Sequence, residues 1–357
     1  MVKKKDLCIL HIGMPKTGSS TIQNNFFKYI KDSRAVYTNL GHPNQSGHLY
    51  GLFLENTENY HYFIQKNFTQ TDIESFRQST KKILEKSFTD HSSSINILSG
   101  EALYHATKNE VNAMKLYLNN FFKNILVVTY VRPTQSLCSS AFQQHVKHPL
   151  IDSFLPRKIY HKYNNIANYD EVYGKENVLV IPFLPKYFPD GDIVKDFCKY
   201  TGLKEQESEI KRSNEAMSKA AVSILFTSNY YKNIRTNYGH LDFSIQNILV
   251  EKLRTISDEK FQFSGELIQR WVEDHFTEDY AWLLDRIGKK YAKYFAIDPQ
   301  KKGIATELEL MEYATTYIDQ LKEYIDPASI TFEIQKNPKT VALLVDILRK
   351  EIMKAIQ

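Results

Sequence analysis

Short apolar runs alternate with longer amphipathic stretches through the first 200 residues of the chain. Residues 7–12, 95–98, 125–131 and 178–182, with a weaker run at 35–38, are apolar enough to be strands buried on both faces. Between them, helical spacing recurs. Ile22, Phe26 and Ile30 share one face over 19–31, and Ile73, Phe76, Ile83 and Leu84 do so over 72–88. Val111, Met114, Tyr117, Leu118 and Phe121 mark 109–122, and Ser136, Leu137, Ser140, Ala141 and Gln144 mark 133–146. This alternation predicts an α/β fold, a parallel sheet covered by helices on both faces. Gly191-Asp192-Ile193-Val194 opens a further short helix that Gly202 can stop. From about residue 215 strand signals vanish. Helical periodicity then holds around 215–232, 243–257, 264–294, 304–325 and 338–356, broken by Asp298-Pro299 and Asp326-Pro327.

Two strand-to-helix junctions carry candidate chemistry. At the first, the run ending at Ile12 meets Gly13-Met14-Pro15-Lys16-Thr17-Gly18-Ser19-Ser20-Thr21, and helical spacing begins at Ser19. Strand, glycine loop and helix start together aim backbone N–H donors and the positive helix end at one spot, which suits an anion. The lysine precedes the second glycine, so the order is not the G-x-x-x-x-G-K-[ST] of an ATPase loop. At the second junction Ile125–Val131 ends at Arg132, and Pro133 stands where a first helical residue would. A guanidinium at a strand end binds a phosphate monoester through paired charge-assisted hydrogen bonds, and strand ends are where open α/β sheets hold ligands. A kinase or ATPase would want an acidic residue there to hold Mg²⁺; this strand ends in arginine.

Pro15–Thr21 resembles the 5′-phosphosulfate loop of sulfotransferases that use 3′-phosphoadenosine 5′-phosphosulfate (PAPS). Val131–Phe142 resembles the 3′-phosphate motif of the same family. The resemblance implies a P-loop-like fold, Lys16 as catalytic lysine, and Thr17, Gly18, Ser19, Ser20 and Thr21 as the 5′-phosphate cradle. It assigns Arg132 and Ser140 to the 3′-phosphate; Ser136 and Ser139 receive no role. Ile97-Leu98-Ser99-Gly100-Glu101 stands where the family often has Ser-Ser-Glu at a strand end, with Gly100 in place of the second serine. Val178–Phe183 followed by Gly191-Asp192, and Asn214–Ser218, also follow the general run of the group. The likeness covers roughly residues 5–220 and is nearest to bacterial sulfotransferases that modify surface glycans. It implies a sulfotransferase domain over 1–300. Residues 301–357 then form a helical extension, either packed on the core or at a dimer contact.

An acceptor hydroxyl needs a group to take its proton. Glu101, at the end of an apolar run, is placed first; His48, in the polar stretch Gly41–His48 read as a loop, is second, and His42 ranks below it. His145 and His148 either line the acceptor cleft or coat the surface. No cysteine or HExxH spacing accompanies the histidines, so no metal site is expected.

Composition narrows the setting. The net charge of +5 is spread among 41 acidic residues with no basic stripe, which argues against a nucleic-acid partner. Lys3-Lys4-Lys5 reads as a solvated terminus, and the apolar residues after it are too few for a signal-peptide core or a membrane span. Cys8, Cys138 and Cys198 are widely separated and read as buried free thiols, which fits a cytoplasmic location. Aromatic content of 13% suits a sugar cleft, although Trp271 and Trp282 lie in a helical pattern and read as core. The expectation is therefore a cytoplasmic enzyme that moves the sulfuryl group of PAPS to a carbohydrate hydroxyl, by in-line attack without a metal. The acceptor would be a bacterial surface polysaccharide or lipid-linked glycan, reached in the latter case by peripheral membrane association; the oligomeric state is left open. The alternatives are a catalytically silent binder of 3′-phosphoadenosine 5′-phosphate (PAP) or glycan, and a small-molecule kinase of related fold.

Overall fold

The structure is a computed structural model that describes residues 3–147, 151–154, 162–209, 216–231 and 243–356, apart from the side chains of Phe243, Asp274 and His275. His148, Asn214 and Glu215 lie outside the described residues. The chain divides into two compact units: Met1–Pro133 with His161–Ser213 and Phe276–Phe295, and Thr134–Tyr160 with Asn214–His275 and Ala296–Gln357.

The first unit is built on five parallel strands: β1 (Lys5–Ile12), β2 (Ala35–Tyr37), β3 (Ile95–Gly100), β4 (Phe122–Val131) and β5 (Val178–Pro182), in the order β2-β3-β1-β4-β5. The apolar runs are strands because both faces are covered: every residue of β3 is buried, and so are the last five of β1. On β1, Ile9 pairs with Ile97 on one side and Leu126 on the other and is fully buried. Burying such a side chain contributes about 1.5–3 kcal/mol. The helices of this unit include α1 (Ser19–Lys28), α2 (Ser46–Phe53), α3 (His61–Gln65), α4 (Gln70–Thr89), α5 (Lys108–Leu118), α7 (Ala167–Tyr173) and α8 (Ile193–Thr201), with α6 (Thr134–Val146) opening the second unit. Helix α8 is stopped by Gly202 at φ +71°, as its sequence predicts. This is the P-loop-like α/β arrangement expected, with helices at the C-terminal end of the chain.

Several local readings change. Lys5 is not solvated: it is buried on β1, where its ammonium donates to Ser87 O (3.0 Å), Ser93 Oγ (3.1 Å) and Asn96 Oδ1 (2.8 Å). Three acceptors offset the cost of burying the charge. The stretch around His48 is not a loop but the helix α2. Its glycines hide the periodicity: a Cβ on Gly47 would lie 2.5 Å from the Tyr62 ring, and one on Gly51 2.8 Å from Phe63. Helix α5 ends at Leu118, because a turn follows and Phe122 enters β4 opposite Lys5.

The second unit is helical: α6, α9 (Lys219–Tyr230), α10 (Phe243–Arg254), α13 (Glu307–Thr315), α14 (Ile318–Lys322) and α15 (Pro338–Ile356) surround one apolar core. Trp271 packs on it, 4.9 Å from the ring of Phe263, so it is a core residue as read. The single helix expected over 264–294 is instead α11 (Gly265–Ile287) and the short α12 (Ala292–Phe295), separated at Gly288, whose φ of +94° no continuing helix allows. All three cysteines are free and buried, and burial pushes their thiols up. Among the described residues no helix is long and apolar enough to cross a membrane.

Candidate active site

The loop after β1 takes two left-handed residues within three positions, Lys16 at φ +63° and Gly18 at φ +79°. Left-handed backbone of this kind builds concavities of N–H groups that receive anions. Gly18 is required twice over: its φ disfavours a side chain, and a Cβ would meet Ile193 Cδ1 at 2.6 Å and the Phe183 ring at 3.2 Å. Helix α1 starts directly after it, with no side-chain cap and no acidic residue in its first turn. The positive helix end therefore faces the loop without a built-in counter-charge from that turn.

The hydroxyls divide. Thr17 is buried and donates to Met14 O at 2.6 Å, so its side chain closes the loop. Ser19 is buried against the same turn, with its Oγ 3.5 Å from Thr17 Oγ1, while Ser20 is exposed and Thr21 is half-buried.

Glu101 directly follows β3 and opens a short 3₁₀ turn. A Cβ on Gly13 would sit 2.3 Å from Ser19 Oγ and 3.0 Å from Glu101 Cγ, so the loop, the start of α1 and the glutamate converge on Gly13. Burial pushes the Glu101 carboxyl above the ordinary carboxylate range, and the nearby Lys16 charge pulls partly the other way. Gly100 has a local reason as well: a Cβ there would lie 3.2 Å from the backbone of Ser46, and Ser46 Oγ accepts from Ala102 N at 2.9 Å.

Arg132 leaves the end of β4 and donates from Nη1 to Lys16 O at 2.8 Å, tying the second junction to the first. Burial pushes its guanidinium down to about 10, so it stays cationic at neutral pH. Its plane lies over Phe183, 5.5 Å from the ring centre, and Tyr163 donates to its carbonyl at 2.7 Å. Phe183 and Tyr163 were not singled out from the sequence; the signal available for Phe183 was its position just past β5, at the same sheet edge.

Each of the remaining sequence candidates has its own local surroundings. His48 is on α2, its ring 4.9 Å from Phe76 and 6.3 Å from Tyr62, and burial pushes its imidazole down. His42 is exposed and engages its own turn through Asn44. Ser140 is half-buried on α6 in the second unit. There, the neighbouring Ser139 donates to Gln135 O and accepts from Phe263 N, both at 3.1 Å.

Behind the loop runs a buried polar chain that the sequence did not announce. His11 Nδ1 is 2.8 Å from Ser99 Oγ, which also accepts from Gln23 of α1 at 3.0 Å. Ser99 N donates to Gln45 Oε1 at 2.8 Å, just ahead of α2.

No protein-family model matches the chain. An uncharacterized protein of Archaeoglobus fulgidus is 26% identical over 114 residues, so the chain matches only 31% of that relative's length and 31% of its own. Among solved structures, a sulfotransferase from Alicyclobacillus acidocaldarius is similar at 12% identity and a TM-score of 0.39, over 66% of this chain and 94% of that one. The sulfotransferase domain of the Synechococcus PCC 7002 olefin synthase is similar at 12% identity and a TM-score of 0.35, over 71% and 90%. Likenesses this weak do not bear on residue roles or substrate.

Proposed function

We propose that this protein is a PAPS-dependent sulfotransferase whose acceptor is a carbohydrate hydroxyl. The observation that carries the reading is the meeting of three groups at the carboxyl edge of the sheet. These are Lys16, held in left-handed backbone with its carbonyl bonded by Arg132, the uncapped start of α1, and the half-buried Glu101 whose carboxyl feels the Lys16 charge. The residues present fit the co-substrate: the Gly18 cradle leaves no space for a side chain, Lys16 belongs to the same loop, and the Arg132 guanidinium is tied to that loop's backbone. PAPS supplies, when bound, a sulfuryl group already joined to a phosphate leaving group.

In this reading the loop N–H groups of Thr17–Thr21, with the hydroxyls of Ser19, Ser20 and Thr21, hold the 5′-phosphate. Thr17 acts through its backbone, because its hydroxyl is given to Met14. Arg132 binds the 3′-phosphate. Lys16 stabilises the negative charge that develops on the leaving oxygen. Glu101 takes the acceptor proton; burial raises its affinity for protons, which favours that role. The three buried thiols support a reducing, cytoplasmic setting.

Thermal denaturation tests the assignment. PAP should raise the melting temperature well above the effect of ATP with Mg²⁺, since a ligand bound only by the folded state stabilises it by mass action. Arg132→Ala should weaken PAP more than adenosine 5′-phosphosulfate, which lacks the 3′-phosphate. Equal stabilisation by PAP and ATP, or an Arg132→Ala effect equal for both nucleotides, would remove the reading.

A further inference from the structure

Just past β5 the chain runs Phe183-Leu184-Pro185-Lys186-Tyr187, and another segment of the first unit, Gly288–Phe295, reads Gly-Lys-Lys-Tyr-Ala-Lys-Tyr-Phe. Neither contains a carboxylate. The two meet on the surface: the rings of Tyr187 and Tyr294 are 5.7 Å apart at 70°, and their hydroxyls share a hydrogen bond. Lys186 Nζ stands 5.0 Å from the Tyr187 ring centre and 4.6 Å from that of Tyr294. Lys293 lies 5.0 Å from Tyr294 and Lys290 5.1 Å from Tyr291. Lys186, Lys290 and Lys293 are exposed, and among the described residues none of them pairs with a carboxylate. Tyr187 is 55% exposed.

The patch is continuous with the candidate active site. Phe183, which opens the first segment, lies beneath the Arg132 guanidinium and beside Gly18. We propose that this surface is a docking platform for an anionic polysaccharide: the lysines receive carboxylate or sulfate groups and the tyrosine rings lie against sugar faces. Its service as an acceptor platform rests on the proposed transfer to carbohydrate. A membrane fits less well, because the exposed ring here, Tyr187, bears a hydroxyl and Phe295 is buried.

Binding of the full chain to defined probes decides the matter without any turnover. Dextran sulfate should bind, more weakly as salt rises, and neutral dextran should not. The triple variant Lys186→Ser/Lys290→Ser/Lys293→Ser should lose at least about tenfold in affinity, and Tyr187→Ser about threefold or more. Both variants should keep the wild-type melting shift with PAP, which shows the fold and the nucleotide site intact. Undiminished binding in the triple variant overturns the proposal. So does a harmless Tyr187→Ser, which would reduce the patch to charge alone, and so does a preference for phosphatidylglycerol vesicles or poly(U) over dextran sulfate. Should dextran sulfate bind through these residues while PAP gives no melting shift, the surface stands and the transferase reading falls.

Discussion

His11 offers a measurable test of how the sheet and α1 are held together behind the loop. It is fully buried on β1, its Nδ1 engages Ser99, and its ring meets Phe197 edge-on with the ring centres 5.5 Å apart. Its Nε2 has no partner among the described residues, so a proton added there would place a charge in an apolar wall. Burial pushes the imidazole from 6.5 down to about 4. The folded state therefore binds fewer protons than the unfolded chain between those values. The stability this supplies is complete above the unfolded value and is lost as pH falls towards the folded one. A shift of that size, at 1.36 kcal/mol per unit, corresponds to about 3 kcal/mol in full and about 2 kcal/mol between pH 7 and pH 5. His11→Asn keeps a neutral polar group near Ser99 and removes the titration. Urea unfolding of both proteins at pH 7 and pH 5 gives the answer. The variant will be less stable at pH 7 through lost packing, a cost independent of pH, but its deficit should shrink by about 2 kcal/mol at pH 5. A deficit unchanged within about 0.5 kcal/mol would mean that the imidazole takes up its proton in the folded state as readily as in the unfolded one, and the inferred effect of burial would be wrong.

The remaining tests address the site. Lys16→Ala should cut sulfuryl transfer on the order of 10²–10³-fold while PAP affinity changes far less; survival of turnover within a few-fold would leave Lys16 as an anchor only. Glu101→Gln should depress turnover by ~10²–10⁴ with PAP binding intact. The wild-type rate should rise with pH through a midpoint above the ordinary carboxylate range, and the variant should lack that limb. His48→Asn, assayed in parallel, should be nearly silent, and the reverse pattern would move the base to α2. Gly100→Ala should destabilise by about 1–3 kcal/mol through contact with the Ser46 backbone; an unchanged urea midpoint would show that α2 yields there freely.

The strands were legible because a strand covered on both faces must be apolar throughout, and β1, β3, β4 and β5 each carry such a run. The glycine loop was legible for a related reason: turn chemistry is local, and Gly13 and Gly18 announce it within a few residues. Helix α2 was not, since its glycines answer to Tyr62 and Phe63, residues outside the helix that press against it. Lys5 read as solvated because its three acceptors come from distant segments. The meeting of Glu101, Lys16 and Arg132 belongs to the same class. Each residue could be placed at a strand end from the sequence, but their adjacency comes from β3 and β4 pairing on opposite sides of β1. Periodicity and turns are written in neighbouring residues, whereas strand order is decided by pairings between remote segments. Only that order brings the glutamate's carboxyl within reach of the lysine's charge and the arginine onto the lysine's carbonyl.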